Sequence, residues 1–220
     1  MATIKTITTE DGSHTLLNEE LQETYHSRHG ALQESAYVFI AKGLDALVNP
    51  HAVNIFEVGF GTGLNALLAE RWSSNNSIPV TYCTLEKYPI PDSIWSSLNY
   101  CATQPETETF ERIHRAAWHQ WIPVSPYFSI FKMNETLQDS DLSALNADLV
   151  FFDAFAPNKQ PEMWTLPMLA KVTGAMRTGA LFVTYCAKGQ LKRDLKSLGL
   201  QVESLPGPPG KREMVRAVKL

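Results

Sequence analysis

Two short stretches of the sequence combine residue types that could hold a small ligand and move a proton. In the first, Glu57 is followed by three alternate glycines, Gly59, Gly61 and Gly63, and in the second, Asp153 directly follows the apolar run DLVFF. Glycine accepts the backbone conformations of a sharp turn and lets a ligand lie against the main chain. A carboxylate can orient a cationic group and accept its proton. We therefore predict a ligand-binding loop and a reactive acid.

The glycine loop lies between a predicted buried strand and a predicted helix. The apolar-rich segment Ile55–Val58 precedes it, and a helical pattern follows over Leu64–Trp72. A dinucleotide fingerprint would need its third glycine at Leu64 or Ala66, so a pyrophosphate site is disfavoured. The acid-x-G-x-G-x-G pattern resembles instead the first motif of Rossmann-like methyltransferases that bind S-adenosylmethionine. A tight turn that binds nothing is the alternative.

Acids and amides follow three further predicted strands. Glu86 ends the second strand, near the place where α/β nucleotide folds hydrogen-bond the ribose hydroxyls, although a solvated acid at a strand end is the alternative. Asn134 and Glu135 follow the third strand, where such folds contact the adenine ring. Asp153 follows the fourth strand, where cofactor and substrate should meet; it could also simply cap the next helix.

Two further residues have more open interpretations. Glu34 could contact an amino group of the cofactor, or it could be a first-turn glutamate stabilised by the helix dipole. Phe155 offers a ring on which a planar base could stack, and Pro157 stiffens the same loop.

Composition is that of a globular protein with one domain and a small extension. The chain has 220 residues, of which 44% are hydrophobic. No apolar run approaches the roughly 20 residues that span a bilayer, and the N-terminus has no signal-peptide pattern, so we expect a cytoplasmic protein without membrane contact. The 3 cysteines and 6 histidines have no metal-ligand spacing, and no metal is expected.

Charge is distributed unevenly along the chain. The formal net charge is −4, but residues 1–170 carry 9 Lys and Arg against 20 Asp and Glu, whereas residues 171–220 carry 10 against 3. A basic segment on an acidic body is typical of a protein with one face that meets phosphates. Ordinary solvation of a surface helix is the alternative.

The pattern of elements predicts an N-terminal extension, residues 1–50, and a cofactor-binding domain, residues 51–220. The extension reads as a hairpin over residues 3–17 and mainly helix over 19–48. Helices are also expected over residues 91–100, 162–176 and 188–198, and the stretch up to about 108 is expected to be polar loop. Strand patterns at 55–58, 80–85, 128–132, 148–152, 180–186, 200–205 and 213–218 predict a mostly parallel seven-stranded sheet of the α/β class.

Six ordered motifs resemble the methyltransferase domain of the MnmC family: ESAYVF, EVGFGTGLN, LEKYP, FDAFAPNKQPEMW, TYCAKGQLKRDL and GKREM. The glycine loop alone indicates only the cofactor, whereas the DAFAP and KREM phrases are more specific. The resemblance implies a Rossmann-like class I methyltransferase fold. It also implies a cofactor site for S-adenosylmethionine made of Glu34, Glu57, Gly59, Gly61, Gly63, Asn65, Glu86, Lys87, Asn134, Glu135 and Asp153.

The sequence departs from that family in two ways. MnmC proteins carry a flavin-dependent oxidoreductase half after the KREM strand, whereas this sequence stops at Leu220, so we expect a stand-alone methyltransferase with the oxidoreductase domain absent. The family usually has Gly-Asp where this sequence has Met133 and Asn134. Adenine recognition is then expected to rest on Asn134 or on neighbouring backbone groups.

The resemblance further implies a reaction on tRNA. The enzyme would transfer a methyl group to the amine of 5-aminomethyl(-2-thio)uridine at the wobble position, with Asp153 as the catalytic residue. Its partners would be the tRNA anticodon loop and, for supply of the aminomethyl group, a separate oxidoreductase or upstream tRNA-modifying enzymes. The alternatives are a transferase acting on a small amine and a non-catalytic cofactor-binding module. Implied substrate contacts are Phe155, Pro157, Lys188, Lys192, Arg193, Lys211 and Arg212.

Overall fold

A computed structural model describes residues 4–220 and contains two β-sheets. The smaller sheet is antiparallel and consists of β1 (Ile4–Thr8), β2 (His14–Asn18) and β3 (Glu23–Thr24). The pairing of β1 with β2 confirms the predicted N-terminal hairpin from Ile4 onwards; residue 3 lies outside the described part of the chain. Across residues 4–220, none of the helices is both long and apolar enough to cross a membrane.

The rest of the extension is less regular than the sequence pattern predicts. Helix α1 (Ala31–Ser35) continues as a π-helical turn (Ala36–Ala41), and a single 3₁₀ turn (Leu44–Ala46) follows. The segment predicted to be mainly helical over residues 19–48, with Gly43 interrupting its last helix, is therefore helical only over residues 31–41 and in that 3₁₀ turn. At Gly43 the backbone approaches the carbonyl oxygen of Phe39 so closely that only a residue without a Cβ fits, and the helix ends there.

The main sheet has eight strands, one more than predicted. In order across the sheet they are β10, β11, β9, β8, β4, β5, β7 and β6. The five central strands are parallel, whereas β6 and β11 run antiparallel to their neighbours. The strands are β4 (Val53–Val58), β5 (Val80–Leu85), β6 (Trp121–Ser125), β7 (Phe128–Met133), β8 (Ala147–Phe152), β9 (Met176–Thr184), β10 (Leu200–Pro206) and β11 (Glu213–Lys219).

The additional strand, β6, lies at the sheet edge, where its sequence is tolerated. Pro123 within it cannot donate a ladder hydrogen bond, and the register shifts between Pro123 and Ser125. Both features are typical of edge strands. Such a strand is short and lacks a buried apolar run, which is why the sequence pattern did not predict it.

Five more helices connect these strands: α2 (Leu64–Asn76), α3 (Asp92–Trp95), α4 (Gln104–Arg115), α5 (Leu166–Gly174) and α6 (Gly189–Ser197). The helix predicted over 91–100 is a single turn, and α4 occupies part of the predicted polar loop. Helix α4 begins with a capping box between Thr103 and Glu106 and buries only Phe110 and Ile113. The helix predicted from residue 162 starts at Leu166, because a 3₁₀ turn (Pro161–Trp164) precedes it.

The order in which the strands are added to the sheet reverses at β4, the central strand. From β4 the chain proceeds to β5 and β7 on one side, and β8 and β9 lie on the other side. Val58 and Phe152 are paired at the carboxyl ends of β4 and β8. In open α/β sheets, ligands bind outside the carboxyl ends of the strands at such a switch point. The residues that follow Val58 and Phe152 are the glycine loop and Asp153.

Candidate active site

The three positions of the loop after β4 need glycine because of their backbone φ angles and because neighbouring atoms lie close to them. Their φ angles are +94° at Gly59, +50° at Gly61 and +73° at Gly63. A Cβ on Gly59 would lie 2.7 Å from the main-chain oxygen of Asp153, and a Cβ on Gly63 would lie 2.7 Å from Nε2 of His114. Side chains at these positions would be strained and would collide with their neighbours. The loop therefore presents bare main chain at the switch point.

Asn65, in the first turn of α2, joins two carboxyl groups. Its Nδ2 donates to Oε1 of Glu57 at 3.0 Å and to Oδ2 of Asp153 at 2.8 Å. The hydroxyl of Thr84 donates to the other oxygen of Glu57 at 2.6 Å. The Oδ1 atom of Asn65 is buried and has no hydrogen-bond partner among residues 4–220. Because an unpaired buried acceptor is costly, this oxygen is suited to receive a hydrogen bond from a bound ligand.

The carboxyl group of Asp153 has a pKa close to neutrality. Burial raises it to about 7; Glu34 also raises the pKa, whereas the hydrogen bond from Asn65 and the charge of Lys211 lower it. A group that is near its own titration point at neutral pH can both accept and release a proton. Perturbed carboxyls in clefts are candidates for functional groups. Asp153 combines that property with a position at the switch point.

Glu57, at the end of β4, is more strongly perturbed. Burial raises its pKa from 4.5 to about 8, and the nearby Asp153 adds to the increase, although the hydrogen bonds from Thr84 and Asn65 oppose it. Its folded-state pKa is therefore above the unfolded value. Such a group contributes stability that is fully present below about pH 4.5 and is lost as pH rises through about 8.

We expect Glu57→Gln, which resembles the protonated acid, to remove most of that loss. The free energy of unfolding of the variant should match the wild type near pH 4 and exceed it by on the order of 2–4 kcal/mol at pH 9. Urea unfolding of the ligand-free protein at both pH values measures this difference. Parallel stability curves for variant and wild type would show that Glu57 does not titrate as proposed.

Glu86 lies at the end of β5 and is fixed by the main chain. The N–H groups of Gly61 and Tyr88 donate to its two oxygens at 3.0 and 2.8 Å. Burial raises the pKa of this carboxyl. Asn134 donates from Nδ2 to the carbonyl oxygens of Glu86 at 2.9 Å and Lys87 at 3.2 Å. The amide of Asn134 thus ties the end of β7 to the segment that carries Glu86.

A cavity of about 1180 Å³ brings most of the predicted cofactor residues together. Pockets of this kind are large enough for a nucleoside cofactor and part of a second substrate. Of the predicted set, the cavity is lined by Glu34, Gly59, Gly61, Asn65, Glu86, Lys87 and Asp153, together with Phe155 and Lys211. Thr136–Gln138 line it after β7, in place of the predicted Asn134 and Glu135. Glu57, Gly63 and Pro157 support the cavity from adjoining positions.

Two tyrosines in the cavity were not singled out by the sequence. The ring of Tyr25 packs against Gly61, where a Cβ would lie 3.2 Å from Cδ1, and meets the ring of Phe155 edge-on with centroids 5.0 Å apart. The hydroxyl of Tyr185 donates to the carbonyl oxygen of Ala154 at 2.8 Å. No local motif marks Tyr25, whereas Tyr185 could have been found because it follows a central strand, β9.

Lys211, in the turn between β10 and β11, also reaches the cavity. Its ammonium forms an ion pair with Oε1 of Glu34 and lies 3.8 Å from the centroid of the Tyr185 ring. The other oxygen of Glu34 accepts from the N–H of Ser27 at 2.6 Å. From the sequence, Glu34 was predicted to bind the cofactor and Lys211 to bind phosphates. In the structure these two residues form an ion pair with each other.

The other basic residues lie outside the cavity, near its mouth. Lys188 and Arg212 are exposed, Lys192 pairs with Glu213 at 2.7 Å, and Arg193 donates to Gln190 at 2.8 Å. Helix α6 begins just after β9 and the β10–β11 turn follows a strand parallel to β9, so these residues share the edge of the sheet with the cavity. Within the described chain, no group of three or more His, Cys, Asp or Glu could hold a metal ion.

Known proteins with similar sequences match most of this chain. Residues 127–220 match a family described as S-adenosyl-L-methionine-dependent methyltransferase. The tRNA 5-methylaminomethyl-2-thiouridine biosynthesis bifunctional protein MnmC of Nitrosospira multiformis is 29% identical over 221 residues, covering 91% of this chain and 35% of that protein. The MnmC protein of Leptospira borgpetersenii is 31% identical over 216 residues, covering 91% and 33%. The chain thus spans about a third of the length of these curated relatives.

Solved structures give a consistent result. MNMC2 from Aquifex aeolicus has a TM-score of 0.82 and 26% identity, covering 99% of this chain and 71% of that chain. An O-methyltransferase from Thermotoga maritima, at TM-score 0.53 and 16% identity, covers 98% and 77% and shares the fold alone. The chain therefore has the Rossmann-like fold of S-adenosylmethionine-dependent methyltransferases, and its cofactor is S-adenosylmethionine. Within that class, it resembles the methyltransferase domain of the MnmC proteins over nearly its whole length.

Proposed function

We propose that this protein transfers a methyl group from S-adenosylmethionine to the amine of 5-aminomethyl(-2-thio)uridine at the wobble position of tRNA. The product would be 5-methylaminomethyl(-2-thio)uridine. The observation that carries the proposal is the carboxyl of Asp153, with a pKa of about 7, beside the glycine loop at the switch point of the sheet. The names of the MnmC relatives support the choice of acceptor.

The residues of the cavity fit the cofactor. Gly59 and Gly61 line the cavity with main chain that carries no side chain, and the unpaired Oδ1 of Asn65 can accept from an amino group. We propose that the glycine loop and Asn65 hold the methionine part and that Glu86 accepts from the ribose hydroxyls. Lys87 and Thr136–Gln138 would surround the adenine. Asn134 and Glu135 would support that wall from the end of β7, and the buried Glu57 would hold Asn65 in place.

Asp153 would prepare the acceptor amine. An alkyl amine has a pKa near that of lysine, about 10.4, so it arrives mainly as an ammonium ion. The Asp153 carboxylate would bind this ammonium, orient it and accept one proton, which frees the nitrogen lone pair. When bound, the cofactor supplies an electrophilic methyl group, which the amine takes by forming a C–N bond as the carbon–sulfur bond breaks and leaves its electron pair on sulfur.

The aromatic residues beside Asp153 could hold a base that is flipped out and no longer stacked on its neighbours. Phe155 lines the cavity, and the Tyr25 ring meets it at an interplanar angle of 78°. Two rings at this angle form a corner at the cavity wall, where a planar pyrimidine would stack on the Phe155 ring. Enzymes that act on a base usually hold it in such a pocket after it has been flipped out, and single-stranded RNA loops present bases in this way.

The domain organisation, the source of the aminomethyl group and the cellular location are also proposals. We propose that residues 1–50 form an extension packed on a methyltransferase domain of residues 51–220, because Tyr25 and Glu34 face the cavity. A separate oxidoreductase or another upstream tRNA-modifying enzyme would make the aminomethyl group. A tRNA substrate would place the reaction in the cytoplasm.

The decisive experiment follows labelled methyl from S-adenosylmethionine into tRNA that carries 5-aminomethyluridine, with unmodified tRNA and putrescine as parallel acceptors. We expect label only in the aminomethylated tRNA. Label in putrescine alone would favour a small-amine transferase. Cofactor binding without label in any acceptor would contradict the proposed reaction and favour a non-catalytic module.

Basic residues at the mouth of the cavity should hold tRNA phosphates. If so, Lys188→Ala and Arg212→Ala should each weaken tRNA binding and reduce the slope of log affinity against log salt concentration by about 1. Filter binding at several salt concentrations measures both effects. Arg177→Gln is the control, because Arg177 lies at the start of β9, on the opposite edge of the sheet. Salt slopes equal to the wild type in both variants would remove these residues from the interface.

A further inference from the structure

The ion pair between Glu34 and Lys211 joins two distant parts of the chain at the cavity wall. Glu34 belongs to α1, its side chain is 8% exposed, and the Lys211 side chain is 31% exposed. The Lys211 ammonium also lies over the ring of Tyr185, whose hydroxyl bonds to the carbonyl oxygen of Ala154, the neighbour of Asp153. A partly buried lysine with these two partners is held at the wall of the cavity that Asp153 also lines.

Glu34, Lys211 and Asp153 line one cavity, so the two charges of the pair act on Asp153 in opposite directions. Glu34 raises the pKa of the Asp153 carboxyl and Lys211 lowers it. A nearby like charge disfavours the ionised form, whereas an opposite charge favours it. Because the pKa of Asp153 is about 7, a modest change in either charge alters its ionised fraction strongly at neutral pH.

Apart from Glu57, whose pKa of about 8 lies close to that of Asp153, the titratable groups around the pair do not change charge near neutral pH. His26 faces Lys211 from the extension, and burial lowers the pKa of its imidazole to about 4. Burial raises the pKa of the Tyr185 hydroxyl and of the Cys186 thiol, so both stay neutral. Tyr82 and Glu57 face Asp153 from the other side; burial raises the pKa of Tyr82, and Glu57 titrates only at about 8.

We propose that the Glu34–Lys211 ion pair is a positioning element that fixes the charge of Asp153 and thereby sets the pH range of methyl transfer. This inference rests on the proposed function only for its kinetic consequence. It assigns Lys211 to the control of Asp153 in place of phosphate binding, and Glu34 to the same task.

Single substitutions should shift the titration of Asp153 in opposite directions. Lys211→Met leaves the Glu34 charge uncompensated, so the Asp153 midpoint should rise by about one pH unit. Glu34→Gln leaves the Lys211 charge uncompensated, so the midpoint should fall by a similar amount. The double variant Glu34→Gln, Lys211→Met carries a neutral pair of similar size and should return close to the wild type. Lys211→Arg keeps the charge and should resemble the wild type.

The direct measurement is an NMR titration of the ligand-free protein with ¹³C-carboxyl-labelled aspartate. The Asp153 signal is identified by its loss in Asp153→Asn, and glutamates are not observed. Arg216→Met, which breaks the ion pair with Glu203 between β10 and β11, is a matched control that should leave the signal unchanged. Should Lys211→Met fold poorly because Glu34 is left unpaired, the double variant and Glu34→Gln still test the inference.

Kinetics then give the functional readout. The low-pH limb of kcat/KM for aminomethylated tRNA should move upward in Lys211→Met and downward in Glu34→Gln, in parallel with the NMR midpoints. Unshifted midpoints, or equal loss of activity at every pH, would overturn the inference and indicate a structural role. A reduced salt slope of tRNA binding in Lys211→Met without a shifted midpoint would assign Lys211 to phosphates. Failure of the wild type to methylate tRNA would refute the proposed function but leave the titration result valid.

Discussion

Asp153→Asn is expected to lower methyl transfer to aminomethylated tRNA by at least about 100-fold, within the range for loss of a general base. Asparagine has nearly the same shape and can still accept the hydrogen bond from Nδ2 of Asn65, now 2.8 Å from the carboxylate. It cannot accept a proton from an ammonium group, and it has no charge with which to hold one. The loss of the proton acceptor should lower kcat, and the loss of the charge that holds the ammonium should raise KM.

The cofactor affinity of the same variant shows whether the loss of activity comes from the reaction step or from weaker cofactor binding. Calorimetry with S-adenosylhomocysteine should give a dissociation constant within a fewfold of the wild type, because the glycine loop and Glu86 are unchanged. Asp141→Asn provides the same chemical change on the exposed loop between β7 and β8 and should be fully active. Turnover at the wild-type rate in Asp153→Asn would remove Asp153 from the mechanism.

The positions of the glycine loop and of Asp153 could be predicted because both depend on local sequence. An apolar run defines a buried strand, and the residue after it lies at the strand end. Parallel strands bring such ends to one edge, so Gly59 and Asp153 were expected to be close before any contact was known. The structure places a Cβ built on Gly59 only 2.7 Å from the main-chain oxygen of Asp153.

Contacts between distant segments could not be predicted in this way. The pairing of Glu34 with Lys211 spans 177 positions of sequence, and the meeting of Tyr25 with Phe155 requires the extension to fold over the cavity. Neither partner carries a local signal for the other. The sequence accordingly treated Lys211 as one of several surface cations, and only its burial beside Tyr185 distinguishes it from Arg212.

Helix α4 illustrates a different limit. Only Phe110 and Ile113 of this helix are buried and most of its other residues are polar, so its first half resembles a polar stretch. Its capping box, Thr103 with Glu106, was a usable signal for the helix start. The contribution of α4 to the site, through His114 behind Gly63, depends on packing that periodicity does not report.

Gly59→Ala is expected to cost both stability and cofactor binding. The φ angle of Gly59 is +94°, and the new Cβ would lie 2.7 Å from the main-chain oxygen of Asp153 and 3.2 Å from its carbonyl carbon. These atoms belong to the backbone at the end of β8, so they cannot move aside as a flexible side chain would. We expect a loss of about 3 kcal/mol or more in unfolding free energy and at least a tenfold weaker affinity for S-adenosylhomocysteine.

Substitutions at two other glycines distinguish the two causes of that loss, which are backbone strain and steric overlap. Gly174, at the end of α5, has an ordinary φ and open space around it, so Gly174→Ala should be neutral or slightly stabilising. Gly179 has a φ of +80° but also open space, so Gly179→Ala should cost only the conformational strain, about 1–2 kcal/mol. Neither should alter cofactor affinity. If Gly59→Ala behaved like Gly179→Ala in both measurements, backbone strain alone would explain the need for glycine, and the close approach of β4 to β8 would not constrain the cofactor loop.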